Sequence, residues 1–309
     1  MTLRAAGLTF RILRFETTIV VGATILSILV TAAVIGALNA TGWVRCLTDG
    51  AIEQTAFCQA SLGSWLLRIG RMSAGIVPVF PIVAGLLIGG PIVARELESG
   101  TARLAWSLGP SRLRWFVQRA VPALLLVTAA GVAIGLAADA LLHLMQPQLN
   151  IDRSFAGFRQ RGLLIGVQAL LVAATALAVG AILGRAVPTF VLSLVLVSGV
   201  AAAVDKVESQ LLTNEALVTD AYTFDGGDLF LESRLRLPDG RIVTWQELAD
   251  LHPEIMENGF SPDQYPNVVL YIPGARYHDI ERREAIVLLG LAALFIVLAS
   301  FVVTRRRPR

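Results

Sequence analysis

The chain has 309 residues, of which 55% are hydrophobic and only 16% charged, and its formal net charge is +3. A soluble domain is about half apolar and about a quarter charged. The composition therefore excludes an ordinary soluble globular protein and gives no reason to expect a nucleic-acid partner; it points to an integral membrane protein.

A helix rises about 1.5 Å per residue and the hydrocarbon core of a bilayer is about 30 Å thick, so one span needs about 20 apolar residues. Six runs qualify: Thr17 to Leu38, Ala74 to Val93, Ala120 to Leu142, Gly162 to Leu183, Ala186 to Val204 and Ala285 to Thr304. They are continuous rather than alternating, and in lipid a continuous apolar run satisfies its backbone only as a helix. The expected fold is an all-α membrane protein with six transmembrane helices. Residues 1–204 hold an N-terminal interfacial helix and the first five spans, 205–282 form a small α+β extracytoplasmic segment, and 283–309 form the last span and a basic tail. The first run exceeds the 7 to 15 apolar residues of a signal peptide, so it is read as a retained span.

Ahead of that span, Leu3, Leu8, Phe10, Ile12, Leu13 and Phe15 alternate with Arg4, Arg11 and Arg14, the pattern of a basic helix lying at an interface. The loop after it carries the only two cysteines, Cys46 and Cys58. An oxidising compartment would let them pair; the alternative is two free thiols. Later in this loop Leu62, Trp65, Leu66 and Ile69 make an i, i+3, i+4, i+7 face, expected to lie on the membrane surface. In the second span Pro78 and Pro81 remove backbone donors and favour a bend, which makes both candidates for lining a pathway.

Ala94 to Arg119 is a short, charged, partly apolar hairpin between two spans. Leu97, Thr101, Leu104 and Leu108 follow helical spacing and would form one face of a short helix. Ser99-Gly100-Thr101 is suited to break the preceding span and cap that helix. Gly109-Pro110 ends it, and Ser111 caps the run into the third span. Near the far end of the third span Asp139 and His143 are spaced i, i+4, either as a proton-relay pair or as interfacial groups reached by water. The fourth and fifth spans are joined by Gly184-Arg185-Ala186, with Pro188 in the first turn of the fifth. Gly85/Gly89, Gly131/Gly135, Gly162/Gly166 and Gly180/Gly184 have the spacing that permits close helix approach, within the bundle or at a dimer seam.

Beyond the fifth span, Leu229 to Leu237, Pro238-Asp239-Gly240 and Arg241 to Trp245 read as a hairpin. Thr244 and Glu247 have capping-box spacing for a helix through Leu251, and Val268 to Ile272 reads as a strand. With the N-terminus inside, the inner pieces hold Arg4, Arg11, Arg14, Arg95, Arg103, Arg112, Arg114, Arg119, Arg185, Arg305, Arg306, Arg307 and Arg309 against Glu16, Glu96 and Glu98. Asp205 to Arg282 is strongly acidic. The inside-positive rule then puts both termini in the cytoplasm.

The chain has one lysine, Lys206, and no Gly-x-x-x-x-Gly-Lys-Ser/Thr loop to cradle nucleotide phosphates. It also has no His-Glu-x-x-His pair and no Gly-x-Ser-x-Gly elbow, so hydrolase chemistry has no motif support.

The spacing Arg95-Glu96-x-Glu98-x-Gly100-Thr101, followed by Leu104, Leu108, Pro110-Ser111-Arg112 and Trp115, resembles the first inner loop of ABC-2 type transporter permeases. Ile272-Pro273-Gly274-Ala275-Arg276-Tyr277, then Ile280-Glu281 and a final span ending in Arg305-Arg306-Arg307, resembles the last outer segment of actinobacterial-type members. The resemblance implies a non-enzymatic permease subunit of an exporter in a bacterial cell membrane. It also implies that Arg95, Glu96, Glu98, Gly100, Thr101, Arg103, Leu104, Leu108, Pro110, Ser111 and Arg112 meet the ATPase. The implied partners are two copies of an ABC ATPase, which bind the ATP and Mg that this chain does not, a second permease copy or paralogue, and membrane lipid. An apolar bundle suits amphiphilic or hydrophobic cargo. The competing readings are a proton-coupled secondary transporter using Asp139 and His143, and a non-transporting membrane protein whose outer segment binds a ligand.

Overall fold

The computed structural model describes residues 13–48, 61–108, 111–220, 226–251 and 265–306. In chain order the helices are α1 (Arg14–Ala40), α2 (Val44–Thr48), α3 (Ser61–Ile76), α4 (Phe80–Glu98), α5 (Thr101–Leu108), α6 (Arg112–Met145), α7 (Leu164–Leu183), α8 (Ala186–Glu215), α9 (Trp245–Leu251) and α10 (Tyr277–Arg305). The strands are β1 (Leu217–Asp220), β2 (Leu229–Arg236), β3 (Ile242–Val243) and β4 (Asn267–Ile272). Two compact units result: 1–148 with 157–201 and 281–309, and 149–156 with 202–280. The expected interfacial helix before Leu13 lies outside the described residues.

Among the described residues, six helices are long and apolar enough to cross a membrane, with α3, the turn after it and α4 acting together as Trp65–Glu98. Their helical lengths exceed the apolar runs. α6 begins at Arg112 rather than near Ala120, α8 runs on to Glu215 rather than stopping near Val204, and α10 begins at Tyr277 rather than near Ala285. Hydropathy marks the part of a helix in hydrocarbon, whereas backbone hydrogen bonding continues into water until a cap stops it.

In the first unit α7 is the centre. It is apolar all round and buried along most of its length, as a helix surrounded by others must be. α4 and α6 pack against it at close range because glycines face it. A Cβ on Gly89 would stand 2.3 Å from the carbonyl oxygen of Ala173, and one on Gly135 would stand 2.0 Å from that of Gly162. The Gly-x3-Gly pairs of α4 and α6 are therefore used within the chain, which removes them as a dimer seam. α1, α8 and α10 leave many large apolar side chains exposed, as lipid-facing helices do.

Pro78 lies in a 3-10 turn, Val77–Val79, that joins α3 to α4 and has no N–H to give the carbonyl one turn back. α3 is thus one half of a broken span. Its Leu66 and Leu67 are buried with Val34, Leu38, Trp43, Cys46 and Leu141, while Trp65 is exposed. The expectation that the whole Leu62 to Ile69 face lies on the membrane surface is corrected on this point. Leu66 belongs to a core shared with α1 and α6.

The second unit holds an antiparallel sheet in the order β1-β4-β2-β3. The Pro238-Asp239-Gly240 hairpin forms, with Gly240 at φ +86° and Leu235 opposite Val243. The capping box closes reciprocally: the Thr244 N–H donates to Glu247 Oε2 at 2.8 Å, and the Glu247 N–H donates to Thr244 Oγ1 at 3.2 Å. Asp239 and Glu247 are both held below the ordinary carboxyl range, Asp239 chiefly by the Arg241 N–H and Glu247 chiefly by the Thr244 N–H. Residues 149–156 belong to this unit. The Phe155 N–H donates to the Gly227 carbonyl at 2.8 Å, and the Phe155 ring meets Tyr277 edge-on at 5.6 Å. Asp228 is structural rather than a solvated acid, since its Oδ1 accepts from the Gly274 N–H at 2.8 Å.

Candidate functional site: the hairpin end of the bundle

α4 stops where the sequence supplies a left-handed position. The Ser99 N–H bonds the Arg95 carbonyl, the Gly100 N–H bonds the Leu97 carbonyl, and Gly100 sits at φ +75°. Ser99 Oγ and Thr101 Oγ1 lie 2.9 Å apart beside the Glu96 carbonyl. α5 follows directly. After it, Ser111 is an extended N-cap whose hydroxyl accepts from the Arg114 N–H at 3.2 Å, which starts α6.

The helix break at Gly100 separates Leu97 from α5, so the face expected from Leu97, Thr101, Leu104 and Leu108 is divided. Ala102, Ala105 and Trp106 turn towards the bundle, while Thr101, Leu104 and Ser107 are exposed, Leu104 at 64%. The side chains of Arg103 and Leu108, and Pro110 as a whole, lie outside the described residues.

Among the described residues, Arg95, Glu96, Glu98, Arg112 and Arg119 of the hairpin are committed to the bundle. Glu96 is buried and pairs with Arg119 at 2.5 Å, and the Arg119 guanidinium also lies over the Trp115 ring at 5.4 Å. Arg95 reaches Glu16 on α1 at 2.9 Å. Glu98 Oε2 accepts from the Ala186 N–H at 2.9 Å, placing a carboxylate at the positive N-terminus of α8. Arg112 donates to the Arg306 carbonyl at 2.6 Å and the Thr304 carbonyl at 3.2 Å, at the negative C-terminus of α10. Arg306 in turn donates to the Ala181 carbonyl at 2.7 Å, in the last turn of α7. Trp106 stacks edge-on against Trp115 at 5.7 Å and lies under Arg112 at 5.0 Å.

The hydrogen bonds and ion pairs among these are charge-assisted and run to a buried partner or to an unsatisfied helix end. One hairpin is thereby tied to the ends of α7, α8 and α10 as well as to α1 and α6. Arg119, Glu16, Trp106 and Arg306 belong to this arrangement. The residue pattern of the hairpin does not reveal them, because their partners are fixed by how the helices stack; in sequence Arg306 reads as part of a basic tail after the last span, with no link to the hairpin.

At the other end of the first unit Asp139 and His143 do not form an isolated pair. Asp139 Oδ1 accepts from Arg161 at 2.7 Å, and His143 Nδ1 lies 2.9 Å from the Asp139 backbone carbonyl oxygen and 3.9 Å from its Oδ2. Beside them Arg159, at φ +63°, pairs with buried Glu284 at 2.8 Å. Pro78 and Pro81 stand elsewhere, at the break in the second span. Cys46 is buried and disulfide-bonded, and Cys58 lies outside the described residues. Among the described residues no three His, Cys, Asp or Glu side chains gather as metal ligands.

No curated protein and no solved structure matches the chain. A family model described as ABC-2 membrane transporter related matches residues 17–208, which include the hairpin and most of the first five spanning helices. With six helices among the described residues long and apolar enough to span a membrane, the protein is a multi-pass membrane transport subunit, and it belongs to the ABC-2 membrane transporter related family.

Proposed function

We propose that the chain is the permease subunit of an ATP-driven exporter, with the hairpin facing the cytoplasm and receiving a separate ABC ATPase on α5. The observation that carries this reading is the division of labour within the hairpin. Thr101, Leu104 and Ser107 form an exposed strip, while Ala102 and Trp106 on the same helix, and Glu96, Glu98 and Arg112 beside it, are anchored to the bundle. A force on the exposed strip is passed to several spans through short, directional bonds rather than absorbed by a loop. Nucleotide-driven closure of two ATPase copies, each binding ATP and Mg, would then shift the spans of a permease pair between inward-open and outward-open states. The inside-positive distribution of arginine supports the orientation. The apolar bundle supports amphiphilic or hydrophobic cargo moved outward across a bacterial cell membrane. No observation favours the proton-coupled reading, because the Asp139 carboxylate is engaged by Arg161.

The test is Leu104→Arg. Its side chain is exposed, so the fold is expected to survive, while association with the ATPase and stimulation of its hydrolysis fall about tenfold or more, the scale of a charge placed in an apolar interface centre. Full association and stimulation in this variant would overturn the assignment of α5 as the docking helix.

A further inference from the structure

Within the first unit a cavity of about 190 Å³ opens at the break in the second span. Three elements wall it: α1 through Ala23, Ser27 and Thr31, the broken span from Ser73 to Val83, and α6 from Ile134 to Leu141. The lining is nearly all hydrocarbon. The Ser73 hydroxyl is turned back onto the Gly70 carbonyl at 2.8 Å, as helical serines in apolar surroundings do. An apolar cavity of about 150 Å³ stays dry and accepts a small apolar guest, so one of this size is a site for hydrocarbon rather than for water.

Depth and access identify the guest. Ser27 stands midway along α1, about 20 Å from either end at about 1.5 Å per residue, which is the level of lipid chains and not of headgroups. Ile76 and Val79 at its margin are 63% and 50% exposed on a spanning helix, so the opening faces lipid sideways. Ser73 on α3 and Phe80 on α4 both line the cavity, so a guest touches both halves of the broken span at once.

We propose that this cavity holds a length of one alkyl chain from a bilayer lipid, inserted laterally between α1, α6 and the bend at Val77–Val79. The site requires neither an ATPase nor a cargo, so it stands or falls apart from the exporter reading.

The test uses the full chain in phosphatidylcholine nanodiscs doped with a phosphatidylcholine that carries a diazirine in mid-chain. After photolysis, adducts are mapped by mass spectrometry. Adducts are expected to concentrate on Ser73 to Val83 relative to the lipid-facing Val187 to Val195 of α8. They are expected to fall about tenfold there in Ala137→Phe, which fills the cavity, with α8 labelling unchanged. Ala23→Trp, at an exposed position on the rim, gives the same loss by closing the opening should Ala137→Phe fail to fold. Adducts no denser on Ser73 to Val83 than on α8, or undiminished by both substitutions, would mean annular contact only and overturn the proposal. A cavity free of adducts together with a copurified non-lipid mass retained in native mass spectrometry would overturn lipid as the occupant.

Discussion

Glu96→Gln is the substitution whose cost follows most directly from the geometry. The Glu96 and Arg119 side chains are 8% and 12% exposed and 2.5 Å apart. Removing one partner of a buried ion pair leaves the other charge uncompensated, which costs about 3–5 kcal/mol. Arg119 keeps the Trp115 face at 5.4 Å, a contact present before and after the change that cancels from the difference. The expected loss is therefore about 3–5 kcal/mol. For chains of this order of size, where about 2–4 °C corresponds to 1 kcal/mol, that is a fall on the order of 10 °C in the unfolding midpoint. The assay is thermal unfolding in detergent followed by tryptophan fluorescence, for which the Trp106/Trp115 pair is a built-in reporter. Arg119→Gln should cost a similar amount, and the double variant clearly less than the two together, because neutralising both partners leaves no buried charge. Single variants that unfold with the parent, or a double variant as unstable as the sum, would refute the claim that this pair is a buried coupled unit.

Gly89→Ala places a methyl 2.3 Å from the Ala173 carbonyl oxygen, so α4 and α7 must separate. A cost of about 1–3 kcal/mol or more is expected in the same assay, against no loss for Gly22→Ala, whose added Cβ meets nothing within 4 Å in a helix interior where alanine is the better residue. Glu247 has its folded pKa below the ordinary 4.5, so the capping box contributes stability that is present above that value and lost as pH falls through the lower folded value. Acid titration of Trp245 fluorescence should show this step in the parent and not in Glu247→Gln, and identical curves would dismiss the cap. For orientation, a cysteine at Ser233 should react with an impermeant reagent from outside the cell and one at Ser107 should not; the reverse pattern would invert the topology.

The spans could be read from sequence because hydrocarbon thickness imposes a length that composition alone reveals. The Pro78 break, the Gly100 stop, the Ser111 cap and the Thr244/Glu247 box were legible for a similar reason: each is a local rule within a few residues. What was not legible depends on stacking. Asp139 finds Arg161, Glu98 finds the start of α8, and Arg112 finds the end of α10, none of which any spacing announces. β1 was missed because Leu217 to Asp220 continues a long helix without a turn signal and becomes a strand only by pairing with β4. Residues 149–156 look like a plain loop until Phe155 and Gly227 are seen to bond. Among the hairpin's family-like residues, sequence could not separate those turned outward, such as Leu104, from those locked inward, such as Glu96.

The exporter proposal rests above all on α5 being the surface on which an ATPase acts. A photoreactive phenylalanine analogue in place of Leu104, in the full chain within its native membrane, tests it without disturbing Cys46 or the buried charges. A crosslink to an ATP-binding subunit is expected, with a yield that changes when ATP is trapped. The same analogue in place of the lipid-facing Leu194 should give no such crosslink. No crosslink from Leu104 to any nucleotide-binding protein, with lipid adducts in its place, would contradict the claim.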